Sequence, residues 1–398
     1  LPPTWAFGRW TKSVSNDGAL AQSICEEFPV PSLAGGQAWN GKEWGRLWLS
    51  GDGWWLFSVD DPIAPACSCP VRVAPYDGVI ATSVASWDDE FGVAISSWNG
   101  LIYYRIGRNG RLLAKPATIG AEKAALDVVR SQRVDDRLYL AYAAFDYEDG
   151  VIDRDAGQIT VINQEAEILA QVAAPNAGFA GLAVLSDVVI AEIIPGNPAF
   201  FRIRDRETLQ PLSKADLPAD THFTKIAPRD GNVFYATWQR ESFDTRLPRI
   251  AMFDSSGVQH GEIGLSGAPW LPLEVEGVSY YGGWPMAVAA DATGLYLAWG
   301  TQEGMTIVSR VLYDLTVESN RLIAAYPRSD LPLHLAIGPS SPSLMLPMEL
   351  WFNNLEYCYI KLMCLRTASL SLGEEPKVEW TAPRHLEECG IAVEAAAE

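Results

Sequence analysis

The acidic segment from Asp146 to Gly157 contains the residues closest to a metal-binding pattern. Asp153, Asp155 and Gly157 occupy alternate positions, and closely spaced carboxylates with a glycine turn can wrap a hard cation through oxygen ligands. The segment lacks the full spacing and the terminal glutamate of an EF-hand loop, so a solvated acidic loop is the favoured interpretation. Calcium, with Asp153 and Asp155 as ligands, is the only metal worth testing, and no other cofactor is expected.

Hydrolytic chemistry would require a nucleophile or two carboxylates in one pocket. The four histidines lie in neither a Gly-x-Ser-x-Gly nor a His-Glu-x-x-His pattern. Asp127, Lys225 and His334 lie on or beside predicted innermost strands, so these side chains could meet in a central channel. The favoured interpretation is that they line a hydrated channel and catalyse nothing.

Aromatic and charged residues are numerous in the longest segments between predicted strands. The chain has 15 tryptophans, and exposed rings beside Asp, Asn and Arg suit sugar stacking or protein hot spots. For any single tryptophan, packing between neighbouring sheets is the favoured alternative. The candidate partner-binding residues are Trp98, Asp146, Asp149, Arg240, Asp244, Trp270, Tyr280, Tyr281 and Trp284.

A four-residue pattern of hydrophobic, any, hydrophobic and small residues recurs along the chain. Its copies begin at residues 47, 91, 138, 188, 233, 295 and, in a degenerate form, 348. This spacing of 44 to 62 residues is typical of repeated small sheets. Shorter Ala- and Val-rich runs precede six copies and suit innermost strands that crowd around an axis; they begin at residues 79, 125, 181, 225, 286 and 335.

Four antiparallel strands in each of seven units predict an all-β fold, a seven-bladed β-propeller. A pair of β-sandwiches is the alternative, and the least regular first and last units leave six or eight blades as the nearest other counts. We expect residues 4–10 to add a strand to the last blade and close the ring, since this leaves no bare sheet edge. Residues 1–382 would form the propeller and residues 383–398 an appended tail.

Three long insertions, residues 145–156, 239–247 and 262–285, are expected to share one face of the propeller. In an antiparallel blade, the connection between the second and third strands lies at the same end as the crossover to the next blade. Loops held together by a rigid scaffold are where binding usually resides. We therefore expect function on this face.

The unit from Asp135 to Glu165 is similar to repeats of secreted bacterial β-propellers, whose second strand often ends in Ala-Trp before a third strand and an Asp-x-x-Gly turn. Ala298-Trp299 and the turn Asp254-Ser255-Ser256-Gly257 carry this resemblance. Residues 50–55 depart from the spacing of a sialidase box, and the units have no regular Trp-Asp ending. The resemblance implies the fold over nearly the whole chain and transfers no enzyme or scaffold identity.

Charge and cysteine content limit the partners and the compartment. The formal charge of −19, from 49 acidic and 30 basic residues, would repel phosphate backbones and anionic bilayers, so neither nucleic acid nor membrane insertion is expected. Six cysteines are compatible with disulfides in an oxidising compartment. Cys25 and Cys389 are the predicted pair because a closed ring brings the termini together; buried free thiols are the alternative.

These features predict an extracytoplasmic protein, whether periplasmic, cell-surface or secreted. Its expected function is that of a non-enzymatic binding or scaffold propeller, which engages a protein partner or a glycan through the face that carries the three long insertions. The alternative is a carbohydrate-active hydrolase or lyase with carboxylates at the same face or in the central channel. Such an enzyme would need two carboxylates about 5 to 9.5 Å apart in an open pocket.

Overall fold

The computed structural model describes most of the chain between residues 34 and 381. The described ranges are 34–49, 53–60, 71–76, 81–97, 100–119, 129–142, 146–148, 151–153, 157–174, 181–194, 199–218, 221–229, 231–240, 248–265, 283–301, 305–325, 334–338, 342–354, 358–370 and 378–381. Every regular element in these ranges is a β-strand. The all-β prediction is therefore confirmed. Within these ranges, no helix is long and apolar enough to cross a membrane.

The described strands form seven four-stranded sheets and one two-stranded hairpin, and all the strand pairs are antiparallel. Sheet 1 contains β1 (Ala34–Trp39), β2 (Trp44–Leu49), β3 (Trp54–Asp60) and β4 (Val71–Pro75). Sheet 2 contains β5 (Thr82–Ser86), β6 (Glu90–Ser97), β7 (Gly100–Gly107) and β8 (Ala117–Ile119). Sheet 3 begins with β9 (Val129–Val134) and β10 (Arg137–Tyr142), is interrupted by the hairpin of β11 (Asp146–Glu148) and β12 (Val151–Asp153), and ends with β13 (Gln158–Ile162) and β14 (Ile168–Ala173).

The remaining sheets repeat the same order of strands. Sheet 4 contains β15 (Ala183–Val184), β16 (Val188–Ile194), β17 (Phe200–Asp205) and β18 (Pro211–Asp216). Sheet 5 contains β19 (Thr221–Pro228), β20 (Val233–Arg240), β21 (Arg249–Asp254) and β22 (Gln259–Gly264). Sheet 6 contains β23 (Gly283–Ala290), β24 (Gly294–Thr301), β25 (Met305–Leu312) and β26 (Val317–Ala325). Sheet 7 contains β27 (His334–Ile337), β28 (Pro342–Asn354), β29 (Cys358–Leu370) and β30 (Val378–Thr381).

Every copy of the recurring sequence pattern begins on the second strand of a sheet. The small fourth residue is fully buried where its side chain is described in sheets 3, 5 and 6, as Ala141, Ala236 and Ala298. The pattern is strong because second strands lie inside each sheet and pack against a neighbouring sheet on both faces, so that apolar residues are needed at successive positions.

The described first strands of sheets 2 and 3 follow directly after the apolar runs that predict them. β5 spans Thr82–Ser86 and β9 spans Val129–Val134, and residues 79–80 and 125–128 lie outside the described residues. β9 carries Arg130, Ser131 and Gln132, which line a cavity. Hydrophobicity alone therefore does not identify this strand.

The first strands of consecutive sheets contact one another. β1 contacts β5, β5 contacts β9, and the series continues through β15, β19, β23 and β27, which in turn contacts β1. Gln37 Nε2 on β1 donates a hydrogen bond to the carbonyl oxygen of His334 on β27 at 3.2 Å.

Aromatic side chains pack between consecutive sheets and form much of the core. Phe57 and Phe91 join sheets 1 and 2, with ring centroids 5.5 Å apart. Phe201 and Phe234 do the same for sheets 4 and 5 at 5.3 Å. Burial of each such side chain contributes about 1.5–3 kcal/mol, so these contacts fix the sheets relative to one another.

The predictions for the termini lie outside the described residues. This applies to the closing strand at residues 4–10, the Cys25–Cys389 disulfide and the tail at residues 383–398.

Candidate functional site

A cavity of about 390 Å³ lies on the axis between the first strands. Six sheets line it with residues of their first strands, and sheet 4 does so with Gly181 and Leu182, just before β15. Because each strand contributes only two to four residues, side chains that are far apart in sequence meet at this cavity.

The described lining contains both polar and apolar residues, and five of the seven sheets contribute polar ones. Its polar residues are Gln37, Thr82, Ser83, Arg130, Ser131, Gln132, Lys225 and His334. Its larger apolar residues are Val84, Val129, Leu182, Ile226, Val288, Leu335 and Ile337. Arg130 and Lys225 are cations, and no acidic residue is present in the lining described by the structure.

Several polar lining residues are held by hydrogen bonds across sheet boundaries. Ser83 Oγ and Ser131 Oγ, in sheets 2 and 3, are 2.7 Å apart. Thr82 Oγ1 donates to the carbonyl oxygen of Gly35, which joins sheets 2 and 1. Within sheet 3, Arg130 Nη1 donates to the carbonyl oxygen of Val129, its neighbour in β9, at 3.2 Å. These hydrogen bonds therefore hold together the strands that carry the polar lining residues.

Gly181 allows sheet 4 to approach sheet 5 closely at this wall. A Cβ atom added at Gly181 would lie against Cγ1 of Ile226 and 2.8 Å from the Ile226 backbone nitrogen. Any larger residue would push the two sheets apart, so glycine is required for the close approach.

Two of the three predicted channel residues line this cavity. Lys225 lies on β19 and His334 on β27, whereas Asp127 lies outside the described residues. Sequence reasoning missed Arg130, Ser83 and Gln37. The available signal was the polarity of β9, in which Arg-Ser-Gln-Arg occupy four consecutive positions.

The strand order places the two longest connections, residues 143–157 and 265–282, at one end of the sheets. In antiparallel four-stranded sheets, the connections from second to third strand and the crossovers between sheets share an end. The connections at residues 143–157, 241–248 and 265–282 are all of these two kinds. We call this end the loop-bearing face.

The loop-bearing face carries part of the predicted binding set. Asp146 lies on β11, Arg240 is the last residue of β20, and Trp284 is the second residue of β23. The other predicted binding residues are outside the described ranges; they are Trp98, Asp149, Asp244, Trp270, Tyr280 and Tyr281.

The calcium prediction is not tested by the structure. Asp153 ends β12 and pairs with Asp146 across the hairpin, and Asp155 lies outside the described residues. Within the described part of the chain, no group of three or more His, Cys, Asp or Glu residues could hold a metal ion.

The opposite end of the sheets carries ion pairs between neighbours. Arg108 binds Glu43 at 2.7 Å and joins sheets 2 and 1, and Arg206 binds Asp135 at 2.8 Å and joins sheets 4 and 3. The guanidinium group of Arg133 lies 5.0 Å from the ring centroid of Trp87 in the preceding sheet. Because these side chains link neighbouring sheets, this end of the sheets has a structural role in joining them.

No family model and no curated protein matches the chain. Among solved structures, it is similar to the BP39L lectin from Burkholderia pseudomallei, with 12% identity, a TM-score of 0.58, and 90% of this chain and 99% of the lectin covered. It is also similar to a chain of Kuenenia stuttgartiensis hydrazine synthase, with 11% identity, a TM-score of 0.56, and coverage of 91% and 99%. The RRP9 WD40 repeats match at 11% identity, a TM-score of 0.53, and coverage of 89% and 99%.

These neighbours have β-propeller and WD40-type folds. At such low identity the likeness shows the fold alone. The chain therefore has a propeller-type fold of repeated four-stranded antiparallel sheets.

Proposed function

We propose that this protein is a closed seven-bladed propeller that serves as a binding scaffold for a protein partner or a glycan, with the loop-bearing face as its binding surface. The contact between β1 and β27 supports closure, because it joins the first strand of the first sheet to that of the last. Each of sheets 1 to 7 would then form one blade.

The observation that carries this proposal is the unequal length of the connections at the two ends. The loop-bearing face receives connections as long as residues 143–157 and 265–282, and the first of these includes a hairpin of its own. At the opposite end, arginine side chains pair with carboxylates of neighbouring sheets. Additional chain length on one end of a rigid scaffold is the usual origin of a binding surface.

The comparisons are compatible with a binding function. The neighbours include a lectin and a WD40 domain, and these support a glycan and a protein, respectively, as the partner class. Function does not follow from fold, so the experiment below decides between them.

Among the residues that the structure describes, the axial cavity gives no support to the alternative of a carboxylate-based hydrolase. That chemistry requires two converging carboxylates. The described lining contributes the cations Arg130 and Lys225 and no acid. We therefore place the binding scaffold first.

We further propose that the protein is extracytoplasmic and that Cys25 and Cys389 form a disulfide. The even number of cysteines supports this proposal. Mass spectrometry of the unreduced protein after proteolysis is expected to show a Cys25–Cys389 cross-linked peptide. Quantitative alkylation of both cysteines without a reductant would contradict the proposal.

The binding surface can be tested with Tyr281→Ala combined with Trp284→Ala. Binding is measured on a glycan array and by cross-linking to candidate protein partners. We expect the double variant to lose binding and to keep its melting temperature, because exposed hot-spot residues contribute to binding and not to folding.

A matched control is Leu112→Ala combined with Leu113→Ala. Both leucines are exposed and lie between β7 and β8, at the end opposite the loop-bearing face. This control should retain binding. If the Tyr281 and Trp284 variant unfolds, or if the leucine variant loses binding equally, the loop-bearing face is not the binding surface.

A further inference from the structure

The described lining of the axial cavity differs in charge from the protein as a whole. The whole chain carries a formal charge of −19, whereas the described lining of the cavity contains two cations, Arg130 and Lys225, and no acid. The apolar part of the wall lowers the local dielectric constant, so these charges act on a bound group more strongly than at the surface.

The two cations lie on either side of an uncharged wall. Arg130 is on β9 of sheet 3 and Lys225 is on β19 of sheet 5. Sheet 4, which lies between them, contributes only Gly181 and Leu182. Because Gly181 lets sheets 4 and 5 approach closely, β19 of sheet 5 lies close to sheet 4. An anionic group against this wall would therefore have a cation on each side.

Uncharged hydrogen-bonding groups line other parts of the cavity. Thr82 and Ser83 contribute hydroxyl groups from sheet 2, and Gln37 contributes an amide from sheet 1. Hydroxyl groups can both donate and accept hydrogen bonds, so they suit a ligand with several hydroxyl groups of its own. Val84, Val288 and Leu335 supply apolar contact area beside them.

The size of the cavity restricts the ligand to a small molecule. A volume of about 390 Å³ lies at the lower end of the range of about 300–1,000 Å³ for small-molecule sites. A molecule the size of a monosaccharide fits this volume, and a folded protein partner does not.

We propose that the axial cavity binds a small hydroxylated carboxylate of the size of a sugar acid. Arg130 and Lys225 contact the carboxylate, and Ser83 and Gln37 face the hydroxyl groups. Charge-assisted hydrogen bonds make the cavity selective for a carboxylate, because they are stronger than hydrogen bonds between neutral groups. Ligand binding in this cavity is a property additional to the proposed binding scaffold function and does not depend on it.

The test is isothermal titration calorimetry of the full chain with D-glucuronate, D-glucose and inorganic phosphate as probes. We expect glucuronate to bind with one site per chain and glucose, its neutral counterpart, to give no measurable heat. Arg130→Gln and Lys225→Gln should each weaken glucuronate binding by about 10-fold or more, since each removes a charge-assisted contact.

Two further variants serve as controls. Arg111→Gln removes one positive charge from an exposed position between β7 and β8, and it should leave glucuronate affinity unchanged. Lys225→Arg keeps the charge and should retain more affinity than Lys225→Gln. If a glutamine variant fails to fold, the shift in the wild-type melting temperature with glucuronate, and not with glucose, tests the same site.

An absence of glucuronate binding, equal binding of glucose, or an Arg111→Gln effect as large as those of the cavity variants would overturn the proposal. Displacement of glucuronate by an equal concentration of phosphate would also overturn it, because the hydroxyl groups and apolar wall would then contribute nothing to recognition.

Discussion

The side-chain amide of Gln132 forms a pair of hydrogen bonds with the backbone of Val184 in the next sheet. Its Nε2 donates to the Val184 carbonyl oxygen at 3.1 Å, and its Oε1 accepts from the Val184 amide nitrogen at 2.8 Å. The first strands of sheets 3 and 4 form no backbone ladder with each other. Gln132 therefore supplies the pairing that a neighbouring strand would otherwise provide.

Replacement of Gln132 by leucine should destabilise the fold. Gln132→Leu leaves the Val184 amide and carbonyl groups without these two partners, and an unsatisfied buried polar group costs about 1–3 kcal/mol. We expect the free energy of unfolding, measured in urea, to fall by about 2 kcal/mol. Gln164→Leu is the control, since Gln164 makes one exposed contact at 3.3 Å, and it should change stability by less than about 0.5 kcal/mol.

The small residue at the fourth position of the repeat should not tolerate added volume. Ala236 is fully buried in a cluster with Phe201, Phe234 and Phe253. Ala236→Leu is expected to cost about 1–3 kcal/mol by overpacking. Ala114→Leu makes the same substitution at an exposed position and should be nearly neutral. An unchanged urea midpoint for Ala236→Leu would show that this part of sheet 5 repacks freely.

The ion pair of Glu90 and Arg105 should contribute more to stability than the surface pairs. Both guanidinium contacts are 2.9 Å long, and the Glu90 side chain is only 3% exposed. Glu90→Gln should destabilise the protein by about 2 kcal/mol, because the partly buried arginine loses its counter-charge. Glu207→Gln breaks the pair with Arg137, in which the glutamate is 65% exposed, and its effect should be below about 1 kcal/mol. Equal effects in urea unfolding would contradict this ranking.

The second strands could be predicted from the sequence, whereas some first strands could not. Apolar residues at successive positions, as in Leu138-Tyr139-Leu140-Ala141, mark a strand that is buried on both faces. β9 gives no such signal, because Arg130, Ser131 and Gln132 face a polar cavity. Hydrophobic periodicity identifies strands by their apolar contacts, and it fails where a strand lines a cavity.

The candidate site was only partly predictable for a related reason. Lys225 and His334 were selected because they lie near first strands, but the cavity that they share with Ser83 and Gln37 depends on contacts between sheets that are distant in sequence. The position of the long connections at one end of the sheets was easier to predict from the sequence, since it follows from strand order alone. The identity of a partner depends on side chains, and strand order does not determine these.

The turn between β21 and β22 gives a prediction that depends on pH. Hydrogen bonds from the Ser256 hydroxyl, followed by those from His260 and the Val258 and Ser256 backbone amides, hold the pKa of Asp254 well below its usual range. A carboxyl group with a depressed pKa stabilises the folded state above its unfolded pKa of about 3.9, and this contribution is lost as the pH falls through the folded pKa. The ionised form of Asp254 therefore favours folding at neutral pH and loses this effect in strong acid.

Ser256→Ala removes the largest of these contributions. We expect the pKa of Asp254, measured by NMR titration of its carboxyl carbon, to rise toward about 3.9. The stability advantage of neutral over acidic pH should become smaller in the same variant. Thr208→Ala is the matched control, because the Thr208 hydroxyl donates in the same way to Asp205 in the turn of sheet 4. It should raise the pKa of Asp205 and leave that of Asp254 unchanged, and a pKa of Asp254 that does not move in Ser256→Ala would show that the hydroxyl group is not what stabilises the carboxylate.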